Sequence, residues 1–430
     1  MEVALLCIGD ELLKGSTVNT NLAFLGEKLL ENGIIPKLSL EVPDRDADIR
    51  GALDYAFSRA DIVLTSGGLG PTADDLTKSA VANWFGVPLI RRPEAEHAVQ
   101  EYWHKLHSGT APVHWIRQAE LPEGAEAIPN GYGSAPGIHL ERNGKTIILM
   151  PGPPSELQPM FTDSVLPLLK TKQTDRVYTD LFRIAGIGES EVEDLLEPHL
   201  IPEVSAAYCA QPGLVRLFLT SKDEALLKRV ASEARELFRA NVLPAGVTSL
   251  PEDVLRLLEA KKLMLATAES CTGGMISEQI TAVPGSSNAF LGGVNSYANE
   301  IKMRFLGVSE ETLRTVGAVS RECAEEMVNG IADRAKADAA ISVTGIAGPG
   351  GATPGKPVGL VYIGVRLHTK TVILECHFRG GRDQVRERTA AKALNTLRTM
   401  LLESAECPAP PCFPRRNRRM TRDVSAIRRR

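Results

Sequence analysis

Short apolar runs separated by amphipathic stretches constrain this 430-residue chain more than any other feature. Val3–Ile8, 61–65 and 146–150 lie toward one end; 263–267, Phe290–Asn295 and 339–343 lie toward the other. Each spans five or six residues and reads as a strand; the apolar runs Val3–Ile8 and 263–267 have the pattern of one that is buried. Helical spacing fills the intervals. A helix is expected from Thr20 or Asn21 to a stop at Gly33, others over 46–59, 74–85 and 92–107, and another after the prolines of PGPPSE at 151–156. Further helices are expected over 254–261, 299–306, 320–336 and 383–403, and a hairpin over 360–378. Alternating β and α elements imply an α/β fold with mainly parallel sheets covered on both faces.

Composition shifts at 170–175 (KTKQTD) and again at 244–251. Between them a strand at 177–184, a helix at 189–196, a strand at 215–220 and a helix at 224–239 suggest a small α+β unit. The expected division is 1–170, 171–246 and 250–405, with a tail at 406–430. That tail carries eight arginines and one acid from Pro408 onward, contributing +7; residues 1–407 therefore hold −11 of the net −4. An acidic body argues against general nucleic-acid binding, and only the tail, expected to be disordered, is suited to it. No apolar run reaches the roughly 18 residues of a membrane span, and MEVALLCIGDELL lacks the basic lead of a signal peptide. Seven scattered cysteines without CxxC suggest a reduced, cytoplasmic protein with neither disulfide framework nor zinc site.

AESCTGG, at 268–274, stands where a strand passes into a helix. Ser270, Cys271 and Thr272 are candidate nucleophiles there, and Gly273 and Gly274 permit close approach of a ligand to backbone N–H groups. Taken alone, the stretch reads better as a helix cap. Three stretches earlier in the chain occupy similar strand ends: GDELLKG (9–15), TSGGLGPTADD (65–75) and MPGPPSE (150–156). Open parallel sheets bind ligands at such ends, and Gly67, Gly68 and Gly70 suit a turn against phosphate. Asp74 and Asp75 are candidate ligands of a divalent metal, or Asp74 a helix-start acid.

GDELLKGSTVNTN, TSGGLGPTADD and MPGPPSE resemble the MoaB/MogA-type molybdopterin-binding fold as it occurs in CinA (competence/damage-inducible) proteins. AESCTGG, VNSYANEIK, SVTGIAGPGG and GGRDQVR resemble the CinA C-terminal domain, which is similar to nicotinamide mononucleotide (NMN) deamidases. The resemblance spans about residues 1–405 and leaves only the arginine tail aside. It implies a three-layer MoaB/MogA-like N-terminal domain, a KH-like middle domain acting as a linker, and an α/β deamidase domain.

The activity implied for the last domain is hydrolysis of NMN to nicotinate mononucleotide and ammonia, without a cofactor. Ser270 is the expected nucleophile with Cys271 as its rival. Lys302 is the expected base, and Tyr297 orients substrate or relays a proton. Thr344 and Gly345 form a pocket wall, Thr272, Gly273 and Gly274 supply oxyanion or phosphate donors, and Arg382 and Arg386 grip a phosphate. For the first domain the resemblance implies ADP-ribose hydrolysis with a divalent metal such as Mg²⁺. Asp74, Asp75, Glu11 and Asp44 are its expected ligands, and Gly67, Gly68, Thr72, Gly152 and Glu156 its substrate contacts. A homodimer is implied. Competing readings are a molybdopterin-binding protein without deamidase activity, and a DNA-uptake or repair accessory acting through the tail.

Overall fold

The computed structural model describes residues 1–173 and 176–404. The Arg-rich tail, expected to be disordered, lies outside the described residues. Two compact units account for the chain. The first comprises Met1–Phe182, Glu193–Cys209 and Arg216–Leu237; the second comprises Arg183–Val192, Ala210–Val215 and the chain from Phe238 onward.

In the first unit, β1 (Val3–Ile8), β2 (Leu38–Val42) and β3 (Ile62–Ser66) precede the short strands β4 (Leu89–Arg91), β5 (Glu120–Pro122) and β6 (Glu126–Ile128). β7 (Gly137–Arg142) and β8 (Lys145–Met150) follow. Six of these form one sheet in the order β2-β1-β3-β8-β7-β6, parallel through β8 and antiparallel beyond it. β1, β3 and nearly all of β8 are buried, as their unbroken apolar content requires. Separate apolar clusters line the two faces. One is built on Leu6, Ile49, Leu53 and Val81, the other on Leu5, Leu25, Phe161 and Leu169. β2 begins only at Leu38, beyond the apolar pair Ile34 and Ile35, and β4 to β7 carry too few residues or too mixed a pattern to be expected.

β9 (Tyr178–Ala185), β10 (Ser205–Gln211) and β11 (Leu214–Ser221) form a three-stranded sheet in the order β10-β11-β9.

The second unit contains β12 (Leu265–Glu269), β13 (Phe290–Asn295), β14 (Ala339–Gly345), β15 (Leu360–Leu367) and β16 (Lys370–His377). Their order is β13-β12-β14-β15-β16. The first three are parallel and the hairpin β15-β16 adds antiparallel strands. One face is covered by the helices Leu250–Lys261 and Arg382–Glu403, where Val254, Leu255 and Leu258 of the first share a core with Leu394 and Leu397 of the second. The other face carries Arg321–Ala335 through Met327, Val328 and Ile331. Buried Arg398 pins the first face: its Nε lies 2.6 Å from Asp253 Oδ2, and its remaining N–H groups donate to the carbonyls of Ala240 and Val242. Both units are thus α/β, as the alternation implied.

Candidate active sites

β12 carries its chain two residues past the expected end, so Ala268 and Glu269 belong to the strand and Ser270 is the first residue beyond it. Ser270 N–H donates to the Val343 carbonyl of the neighbouring strand at 3.0 Å. Gly273 and Gly274 have φ of +63° and +96°, left-handed values suited to glycine, and the helix Met275–Thr281 begins immediately after. Lys302 comes from the segment after β13, where three α-helical residues, Asn299–Ile301, pass into a π-helical turn, Lys302–Leu306. Such turns displace one residue from the regular helical register and occur often at functional sites. Gly330 makes room for this turn: a Cβ there would meet the Leu306 carbonyl oxygen at 1.7 Å.

The two segments meet. Lys302 is 1 % exposed, and its Nζ lies 3.2 Å from Ser270 Oγ, 2.6 Å from the Ser296 carbonyl and 3.3 Å from the Tyr297 carbonyl. Burial depresses its pKa below the ordinary lysine value. Burial instead pushes the Cys271 thiol up to about 12, so it holds little thiolate near neutrality. A cavity of about 220 Å³ opens on this pair, lined also by Cys271, Tyr297, Asn299, Ala318, Val319, Thr344, Gly345, Ala347 and Arg382. Tyr297 is well exposed, and its hydroxyl accepts from Arg382 Nη2 at 3.2 Å. Arg382 Nη1 donates to the Gly348 carbonyl at 2.8 Å. Thr344 is buried and donates to the Ala318 carbonyl at 2.6 Å.

Several expected roles change. Arg382 and Arg386 do not act as a pair on one ligand: Arg382 lines the cavity, whereas Arg386 donates to the Thr272 carbonyl at 3.0 and 3.3 Å and approaches Asp383. Four residues along the helix separate them by a turn, and the loop at Thr272 captures the second. The N–H groups of Gly273 and Gly274, expected for an oxyanion or phosphate, are engaged internally. The first donates to the Ser270 carbonyl and the second to Glu269 Oε2, both at 3.1 Å. Thr272 Oγ1 also donates to Glu269, at 2.7 Å. Glu269, Ser296 and Asn299 escaped the sequence reading. An acid at a strand end, five residues before a helix whose N-cap is glycine, was the available signal for the first.

In the first unit a cavity of about 410 Å³ lies at the ends of β1, β3 and β8. It brings together Glu11, Asp44, Asp74, Asp75, Glu156, Gly67, Gly68 and Gly152, as the three strand-end stretches implied. Gly67 (φ +105°) is held by close approach: a Cβ would fall 2.2 Å from the Ile8 carbonyl oxygen. Thr72 is not among the lining residues; its hydroxyl contacts Asp74 and, at 2.6 Å, Asp75. The helix after this loop starts at Thr77, so Asp74 is no helix-start acid but part of that turn.

Burial, with Glu11, Asp10 and Asp74 nearby, raises the Asp44 pKa; burial also raises that of Glu156, against a hydrogen bond from Asn130. Among the described residues, no three histidines, cysteines, aspartates or glutamates are grouped so as to hold a metal by themselves. The lining includes no lysine, arginine or histidine. Asn21, Gln118 and Ser134 also line it and were not anticipated. Asn21 ties two of the strand ends together, donating to Ser66 Oγ at 2.9 Å and the Gly152 carbonyl at 2.6 Å.

A family model described as probable molybdopterin binding domain matches residues 4–171, and one described as CinA C-terminal domain matches residues 247–401. A CinA-like protein of Dictyoglomus thermophilum is 41% identical over 412 residues, covering 94% of this chain and 100% of that protein. One from Kosmotoga olearia is 39% identical over 412 residues, covering 94% and 99%. The crystal structure of a competence/damage inducible protein from Agrobacterium tumefaciens is 38% identical to the part it matches. It covers 37% of this chain and 100% of its own, with a TM-score of 0.34.

Proposed function

The chain belongs to the CinA family, and from that premise we propose that its C-terminal domain hydrolyses the carboxamide of NMN, giving nicotinate mononucleotide and ammonia. The observation that carries this reading is the buried Lys302 amine 3.2 Å from Ser270 Oγ at the wall of a small cavity. A neutral amine has two N–H bonds and one lone pair. The Ser296 and Tyr297 carbonyls can take both N–H groups, leaving the lone pair for the serine hydroxyl.

Lys302 accepts the Ser270 proton as Oγ attacks the carboxamide carbon. The resulting ammonium returns a proton to the departing nitrogen, and ammonia leaves a nicotinoyl ester on Ser270. Water then attacks that ester, giving a proton to Lys302, which passes it to the departing Ser270 Oγ and so restores both groups. Asn299 offers both a donor and an acceptor to a substrate amide, and Arg382 a cation to its phosphate. Purified protein incubated with NMN should release ammonia, and Ser270→Ala should not.

For the N-terminal domain we propose hydrolysis of a diphosphate such as ADP-ribose. The support is a cavity walled by five carboxylates with no cationic lining residue, which disfavours a bare polyanion. Two of Asp44, Asp74, Asp75 and Glu11, together with substrate phosphate oxygens, would hold a Mg²⁺-like ion, a mode that needs no cluster of three protein ligands. Such an ion, when bound, neutralises charge developing on the phosphate oxygens. The family-model description makes pterin binding without turnover the second reading; formation of AMP and ribose 5-phosphate from ADP-ribose separates the two. A homodimer and a cytoplasmic location remain part of the proposal. No described helix is long and apolar enough to cross a membrane.

A further inference from the structure

Glu269 is buried, 1 % exposed, immediately before Ser270. Among the described residues no cation forms an ion pair with it. Its charge is met by five donors. Thr272 Oγ1 at 2.7 Å, Gly274 N–H at 3.1 Å and Ile276 N–H at 3.0 Å reach Oε2; Ser277 N–H and Oγ, both at 2.8 Å, reach Oε1. An ordinary cap is a short side chain at the helix-flanking position. Here that position is Gly274, and the acceptor comes from the strand five residues earlier.

The carboxylate thereby folds residues 270–274 into a closed loop, with Arg386 holding the Thr272 carbonyl from outside. The main chain of Glu269 also supports the base. Its carbonyl accepts from Ser296 N–H at 2.7 Å and Ser296 Oγ at 3.2 Å, while the Ser296 carbonyl accepts from Lys302 Nζ at 2.6 Å. One residue thus anchors the nucleophile's loop through its side chain and the base's support through its backbone. It does not line the cavity.

We propose that Glu269 is a positioning residue: its carboxylate fixes Ser270 Oγ against Lys302 Nζ without touching substrate. This rests on the amidase reading above. Misplacement of a reacting group by about 1 Å can lower a rate about 100-fold. Gln at 269 keeps the volume of Glu but replaces one acceptor oxygen with an amide that cannot accept from N–H donors.

The test measures ammonia release from NMN by the full chain, by Glu269→Gln and by Thr272→Val, recording kcat, KM and the pH profile. Circular dichroism identifies which variants are folded at the assay temperature. The expected result for folded Glu269→Gln is a kcat about 100-fold lower, with KM within a factor of about three. The pH midpoint of kcat/KM is expected to stay in place, because main-chain carbonyls hold Lys302. Thr272→Val, which removes only one of the five hydrogen bonds, should lower kcat about tenfold and decides the matter if Glu269→Gln does not fold. Undiminished kcat in the folded variants, a defect in KM alone, or a displaced midpoint overturns the inference. A wild-type chain that releases no ammonia overturns the amidase reading and this inference with it. An active wild type beside undiminished variants overturns this inference alone.

Discussion

Lys302 Nζ and Ser270 Oγ, 32 residues apart in the chain, lie 3.2 Å apart in space. Neither β12 nor the π-helical turn brings this about alone. The contact exists because β13 runs parallel beside β12 and returns the chain to the same end of the sheet. Connections of this kind place residues from successive loops together at strand ends.

That contact separates the two candidate nucleophiles. Ser270→Ala and Lys302→Met should each reduce ammonia release from NMN by about 100- to 10,000-fold. Cys271→Ser should retain most activity, because the buried thiol, at about 12, is almost entirely protonated. Full activity in Ser270→Ala with loss in Cys271→Ser would reverse the assignment.

The sign of the pH dependence follows from the base. Burial lowers the Lys302 pKa, and only the neutral amine can take a proton. kcat/KM should therefore rise with pH through a lysine pKa below the ordinary value of 10.5 and then level off. Lys302→Arg, which stays charged, should remove the activity. A profile that falls from pH 6 to pH 9 is incompatible with this role.

Removing divalent ions should divide the two activities. A chelator should abolish cleavage of the diphosphate of ADP-ribose, and added Mg²⁺ should restore it, while ammonia release from NMN continues unchanged. Asp44→Asn should weaken only the first. Equal sensitivity of both assays to chelation would contradict the separation.

Arg398 and Asp253 form a buried ion pair at 2.6 Å between the helices on one face of the C-terminal sheet. Asp253 also pairs with Arg256 at 2.9 Å, so removing Asp253 is the change that leaves a buried charge, that of Arg398, uncompensated. Asp253→Ala should destabilise the fold by about 3–5 kcal/mol. The combined change Arg398→Met with Asp253→Leu should recover much of that loss, as followed by urea unfolding.

Lys78 offers a stability test in the first unit. Burial lowers its pKa to about 8, and its amine donates to the Arg117 carbonyl at 2.7 Å. Below pH 8 the folded chain carries a buried charge; between about 8 and 10.5 the folded state sheds that proton while the unfolded state keeps it. The contribution of Lys78 to stability therefore rises with pH across that window, by on the order of 3 kcal/mol in total. Lys78→Met should remove this rise and stabilise the protein at pH 7. Identical unfolding-versus-pH curves for the two proteins would show that the shift is absent.

The parallel cores were legible because apolar runs such as Val3–Ile8 admit few alternatives, and that strand occurs with those bounds; Phe290–Asn295 also occurs with its expected bounds although it alternates between exposed and half-buried residues. β4 to β7 and β10 were not, since short or solvent-facing strands carry little periodic signal. At the site, Ser270 and Lys302 were readable from motif resemblance, and the cavity brings Tyr297, Thr344, Gly345 and Arg382 to the same place. The separate duties of Arg382 and Arg386 were hidden, because spacing on a helix gives a shared face but not what each side chain meets. Glu269 was hidden for another reason: its five partners depend on a backbone path set by two left-handed glycines.

The thiol beside Ser270 carries a consequence of its own. Sulfur is the atom that peroxides and alkylating agents attack first, and they do so through its anion. Cys271 is 5 % exposed and holds its proton tightly. The proposed oxygen nucleophile thus stands beside a sulfur that is shielded, so peroxide or an alkylating agent should leave Cys271 largely unmodified in the folded chain.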